Sequence, residues 1–286
     1  MYWWIFAVGS AISSTIYTLL RKTGTKKEHS LEFEMTRSIL VAIFGVVLIP
    51  FLSLKYDFYS IFIIYFSSIF ACAGILLTTK SIRHSEVSEV APLHNLTPGF
   101  AAVLAFIFLG ESISGMQAVG ILLLIVGAYV LEIKGSFFRS IVYSLKSKYV
   151  DYSIYAALIF SFTALLDKYI INNLVPAFDM LFLILIFISI NFVFLSALQY
   201  GALKGFKRCI RVSRHHVIGA ALFSFLSDVL YIYALSFAYL SLVLPVKRLS
   251  SFFTVLIGGE IFHESHRIQR IFACVIMLVG ACLIII

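Results

Sequence analysis

The sequence predicts an all-α integral membrane protein, with ten transmembrane helices arranged as two inverted five-helix repeats. Three observations predict it. The 286-residue chain is 61% hydrophobic and 13% charged, against about 25% charge in ordinary soluble domains. A soluble fold could not hide so much apolar surface, whereas lipid favours it. Its apolar residues fall into ten runs, each near the roughly 20 residues a helix needs to cross a bilayer. Finally, a pattern is written twice: Pro92, Glu111 and Gly127 recur 153 residues later as Pro245, Glu264 and Gly280. Five helices per copy is an odd number, so the second copy must enter the membrane upside down.

The ten segments are placed at about 3–20, 36–54, 59–80, 88–109, 114–132, 151–171, 177–199, 215–236, 240–262 and 267–286. Trp3 and Trp4 lead the first as an interfacial anchor would, with no basic stretch or small-residue cleavage site, so it reads as a retained helix. The fourth carries Pro92, Pro98 and Gly99, which loosen backbone hydrogen bonding and can expose carbonyls to a cavity. The fifth and tenth carry small residues, Gly120 and Gly127 against Ala273, Gly280 and Ala281. Those faces suit close packing, but strict GxxxG is absent there and leaves monomer and homodimer both open. Residues 133–150 form a linker whose Phe137, Phe138, Ile141, Val142 and Leu145 follow a rough helical spacing, as an interfacial helix would. The chain thus divides into a first repeat, 1–132, this linker, and a second repeat, 151–286. Leu19-Leu20-Arg21-Lys22 resembles Leu165-Leu166-Asp167-Lys168 at corresponding helix ends.

Loop charge tests the inversion independently. The odd-numbered loops hold seventeen Lys or Arg: Arg21, Lys22, Lys26 and Lys27; Lys80 and Arg83; Lys134, Arg139, Lys146 and Lys148; Lys204, Lys207, Arg208, Arg211 and Arg214; Arg267 and Arg270. The even-numbered loops hold two, Lys55 and Lys168. The positive-inside rule puts the odd loops in the cytoplasm of a multi-pass cell-membrane protein, and both termini outside.

Charges inside the apolar runs point to a site. Reflected through the turn at 237–239, Asp228 falls opposite Lys247, each on the order of 14 Å from the turn. A charge so deep costs at least about 2.5 kcal/mol, so pairing and burial in protein are expected. Asp228 pairs with Lys247 or Arg248 either beside a polar path, leaving a cation for an anionic cargo group, or as a structural pair locking two helices. Arg248 is the better ligand, because its fork grips a carboxylate or phosphate with two bonds. The aligned positions in the first copy are His94 and Asn95, just after Pro92. The candidate substrate-binding residues are therefore His94, Asn95, Asp228, Tyr231, Lys247 and Arg248, and the candidate proton-coupling residues Glu89, His94 and Asp228. Asp167 and Lys168 read as a helix end, solvated or paired locally. Glu111 and Glu264 read as caps for exposed helix N–H groups beside the turns they occupy.

Other chemistries find little support. The basic residues sit in short turns rather than a contiguous patch, which excludes nucleic acid as the natural partner. No HExxH, phosphate-binding glycine loop or serine elbow is present, so no enzyme is predicted. His263 and His266 are weak evidence for metal, and the four cysteines have no ligand spacing. No cofactor is predicted.

The two helix pairs running from Ala91-Pro92-Leu93 to Leu109-Gly110-Glu111 and from Leu244-Pro245-Val246 to Phe262-His263-Glu264, each followed by a small-residue helix, resemble the drug/metabolite transporter superfamily, in particular its ten-helix EamA-like branch. The resemblance implies inverted halves, a central cavity and alternating exposure for small-solute transport, often export coupled to protons or exchange. Together with Lys247-Arg248, it implies a secondary transporter of a small polar or amphipathic metabolite carrying an anionic group. The partners implied are that small molecule and membrane lipid. A non-transporting membrane scaffold and a lipid-linked sugar flippase are the alternatives. Members of the superfamily are similar in keeping both termini inside, where the loop charge of this chain puts them outside.

Overall fold

In a computed structural model the chain folds as a bundle of α-helices, and no strand occurs among the described residues. The structure describes residues 2–25, 28–84, 96–132, 148–199, 201–251, 253–254, 257 and 267–285. Helices dominate because lipid offers no partner to an open backbone N–H or C=O, and a helix satisfies both internally. They are α1 (Trp3–Thr25), α2 (Ser30–Gly45), α3 (Phe58–His84), α4 (Thr97–Leu109), α5 (Gly115–Glu132), α6 (Lys148–Asn173), α7 (Ala177–Gln199), α8 (Ala202–Phe237), α9 (Leu240–Lys247) and α10 (Arg267–Ile285). Among the described residues six stretches are long and apolar enough to cross a membrane: Trp3–Thr25, Ser30–Phe51, Phe58–Thr79, Asp151–Asn173, Ala177–Gln199 and Ala202–Phe237. Thr97–Leu109, Gly115–Gly127 and Val275–Ile285 are shorter apolar helices. The chain is a multi-pass membrane protein.

Packing partners recur in pairs. α1 lies on α8 as α6 lies on α3; α2 meets α8 as α7 meets α3; α4 meets α6 as α9 meets α1. α5 packs on α10, α2 on α7, and α4 on α9. Exchanging each helix with the one five places along maps this set onto itself. Small residues make the crossings close. At α1–α8, Ser10 Oγ donates to the Ser227 carbonyl at 2.8 Å, and Ser227 Oγ donates to the Ser10 carbonyl at 3.0 Å. At α5–α10 the backbones nearly touch: a Cβ on Gly120 would lie 2.7 Å from the Gly280 carbonyl oxygen, and one on Gly280 would lie 2.7 Å from that of Gly120.

Several boundaries differ from the sequence expectation. The second segment starts at Ser30 rather than 36, taking Glu32 and Glu34 into the helix with Arg37, and α1 runs on through Arg21 to Thr25. After Gly45 the chain tightens into a 3-10 turn, Val46–Phe51, which contains Pro50. Leu54 then turns with φ 53°. The buried carboxylate of Asp179, in the first turn of α7, holds that turn by accepting Ser53 N–H at 3.0 Å, Ser53 Oγ–H at 2.9 Å and Leu54 N–H at 3.3 Å. The expected basic loop before the eighth span is itself helical: α8 begins at Ala202 and breaks at Ser213 (φ −124°, ψ 28°) before continuing. Most of the expected linker, 133–147, lies outside the described residues, as does Glu264.

Candidate substrate-binding site

The site is built where α8 and the broken helix α9 converge. Gly110, with φ 65°, closes α4 in the left-handed conformation that glycine adopts without strain. The chain turns there and delivers Glu111 to the start of α9. Its buried carboxylate accepts Leu240 N–H at 2.8 Å, Ser241 N–H at 3.0 Å and Ser241 Oγ–H at 2.7 Å. Glu111 therefore caps a helix, as expected, but that of the other half rather than the one beside its own turn. The cap holds α9 at one end and a break ends it at the other. Pro245 has no N–H for the helical ladder, and Arg248 forms a turn whose N–H goes to the carbonyls of Leu244 (3.2 Å) and Pro245 (3.0 Å). Lys247 and Arg248 thus sit at a discontinuity, while residues 240–246 are all buried.

Lys247 reaches back to α8, its Nζ lying 3.8 Å from the centre of the Tyr231 ring, a cation–π contact. Asp228 is one turn before Tyr231 on the same helix. It lies in the electrostatic field of Lys247 and Arg37, and Lys247 in those of Asp228, Arg248 and Asp167. Asp167, from α6, is bonded by Ser67 Oγ–H of α3 at 3.4 Å. Asp167, Asp228 and Lys247 are surrounded by protein yet each keeps part of its surface open.

A second charged group adjoins the first. Glu34 takes Arg21 Nε on one oxygen at 2.7 Å and Arg37 Nε on the other at 2.8 Å. Tyr17 presents its ring to both guanidiniums, 5.2 Å from Arg37 and 5.8 Å from Arg21. Arg21 also donates to Thr79, and Arg37 donates to Ser224 Oγ at 2.7 Å. Ser224 is one turn before Asp228, so this ion-pair group leads directly into the site.

Of the residues singled out from sequence, Asp228, Tyr231, Lys247 and Arg248 come together. Glu89, His94 and Asn95 lie outside the described residues. Asp167 and Lys168 are not a solvated helix end. Both lie inside α6, where Lys168 is buried and donates to the carbonyls of Leu235 (2.7 Å) and Ala238 (2.8 Å). The expected sixth segment already contains both charges; what sequence cannot supply is their partners, the carbonyls and a serine that satisfy them inside the bundle. Sequence reading also misses Arg21, Glu34 and Arg37, although the i, i+3 spacing of Glu34 and Arg37 is a visible signal. Among the described residues no group of three His, Cys, Asp or Glu is placed to hold a metal. Outside the spans, burial pushes the Glu28 carboxyl above its ordinary range, against the opposing pull of Arg208.

A helical bundle that crosses the membrane several times and gathers charges of both signs in its interior is the architecture of a solute transporter. The chain belongs to the EamA-like transporter family, whose model matches residues 1–133 and again residues 148–286. An uncharacterized protein of Methanocaldococcus jannaschii is 30% identical over 101 residues, covering 33% of this chain and 74% of that protein. Those shares make the relative a little under half the length of this chain. In fold, the chain matches a crystal structure of a protein with a TM-score of 0.73 at 12% identity, over 96% of this chain and 94% of the other.

Proposed function

We propose that the chain is a secondary transporter that exports a small polar or amphipathic metabolite with an anionic group, coupled to protons. The observation that carries this reading is the arrangement of Asp228, Tyr231 and Lys247 at the break of α9: enclosed charges with open surface, which a packed scaffold would have no reason to keep. Arg248 and Lys247 receive the anionic group, Asp228 and Tyr231 shape the wall, and His94 and Asn95 complete it from the first half. Glu89, His94 and Asp228 carry the proton, and in this reading Asp167, in the electrostatic field of Lys247, joins the wall. The cycle in this reading is alternating access between two inverted five-helix repeats, 1–132 and 151–286, joined by 133–150, with ten crossings and both termini outside the cell membrane. The paired packing, the doubled family match and the half-length relative support that duplication. The partners are the cargo and membrane lipid.

The test is counterflow in liposomes loaded with a panel of anionic metabolites. Arg248→Ala should lower uptake at least tenfold while leaving protein accumulation unchanged, and Asp167→Asn should do the same. Absence of counterflow and of stabilisation by every anionic solute would overturn the cargo reading. Equal loss of uptake and accumulation would reassign the residue to folding.

A further inference from the structure

The first eleven residues of α8, 202–212, form an arm outside the internal site, set off from the span by the break at Ser213. On a helix turning about 100° per residue, three stripes separate. Gly205, Cys209 and Ser213 are buried; Gly205 abuts the side chain of Glu32 on α2, where an added Cβ would lie 3.0 Å from Cγ. Beside them run Leu203, which is 78% exposed, and the half-buried Phe206 and Ile210, whose inner sides pack on the buried clusters around Met35 and Phe33, while exposed Val212 lies on the other flank of the seat. Next come Lys204, Lys207, Arg208 and Arg211, all exposed, with exposed Arg214 just past the break. Among the described residues the one ion pair these cations make is Arg208 Nε with Glu28, at 3.4 Å, and the Arg208 side chain remains 64% exposed.

Seating, apolar strip and cation strip follow one another around the helix. That order fits a helix lying in the interface, with Leu203 and the open edges of Phe206 and Ile210 at the acyl boundary and cations at headgroup level. We propose that this arm binds the headgroups of anionic phospholipids. A nucleic acid or acidic protein would meet the cations but leave Leu203 without an apolar partner, whereas a lipid satisfies both strips. Each cation near an anionic surface is worth roughly fivefold in affinity. The same helix carries Ser224, Asp228 and Tyr231 into the site, so lipid bound to the arm also fixes the near end of the element that builds the wall.

The experiment titrates purified protein with fluorescent phosphatidylglycerol and, separately, phosphatidylcholine. Wild type should bind phosphatidylglycerol at least tenfold more tightly. Lys204→Gln/Lys207→Gln/Arg211→Gln should abolish that preference with an unchanged melting temperature in phosphatidylcholine, and Lys204→Arg/Lys207→Arg/Arg211→Lys should keep it. If the neutral variant does not fold, the wild-type protein at high salt and Leu203→Ser take its place. Loss of the preference in the first and its weakening in the second support the proposal, and persistence in both overturns it. Equal affinity for the two lipids, or a preference that survives neutralisation, would also overturn it. So would complete displacement by millimolar inorganic phosphate, which marks a site for free anions.

Discussion

Replacing Glu111 with alanine removes the acceptor for two backbone N–H groups and one hydroxyl at the start of α9. The carboxylate is 5% exposed, so water cannot take its place. Hydrogen bonds to a charged acceptor contribute about 1.5–3 kcal/mol each. Three sharing one carboxylate do not add fully, and we take the loss as about 4 kcal/mol. At roughly 2 °C per kcal/mol for a chain of this size, Tm falls by roughly 8 °C. Glu111→Gln keeps one carbonyl oxygen for the helix end but turns an amide toward another donor, so it should melt between wild type and Glu111→Ala. The assay is thermal unfolding of purified protein in one detergent, followed by tryptophan fluorescence. A Glu111→Ala protein melting within about 2 °C of wild type would refute the reasoning, since three buried donors would then have lost their acceptor without cost.

Other expectations follow from the packing and from charge. Glu34→Gln leaves Arg21 and Arg37 without their shared carboxylate and should cost about 3–5 kcal/mol. Adding Arg21→Gln should cost less than the sum of the two single changes, which a double-mutant thermal cycle measures. Gly120→Ala drives a methyl into the Gly280 carbonyl and should destabilise by about 1–3 kcal/mol. Gly115→Ala, which meets open space, should change Tm little. Burial raises the folded pKa of Glu28, so its contribution is fully present below the unfolded value and is lost as pH rises through the folded one. At neutral pH the buried charge is therefore a cost. Glu28→Gln should raise Tm there, and the gain should vanish below pH 4.5, the ordinary value for the group; Tm measured across pH decides it.

Much of the fold is legible because lipid imposes one rule on every span: apolar outside, helical within. The same rule makes Asp228, Lys247 and Arg248 conspicuous, since an isolated charge in an apolar run has few reasons to be there. It also hides the rest. Arg21 and Glu34 fall outside the expected runs and read as loop, and Arg37 sits just inside one unremarked, because hydropathy adds the cost of each charge and cannot credit the ion pairs that offset it. Asp167 and Lys168 fall inside the expected sixth run but read as its end, because their partners come from other helices. The arm at 202–212 has too many cations for a membrane run, and its amphipathic order emerges only once Gly205 and Cys209 are seen seated against α2. Glu111 is recognisable as a cap, but its true partner lies 129 residues away in sequence, which local reasoning cannot reach.

The contact between Gly120 and Gly280 makes two positions behave as one. Each glycine is the clearance for the other's carbonyl, and neither residue can become smaller to make room for growth in its partner. Drift at one position therefore has no compensating change available at the other. Whatever freedom the two halves have to diverge elsewhere, at this crossing they share a single inheritance.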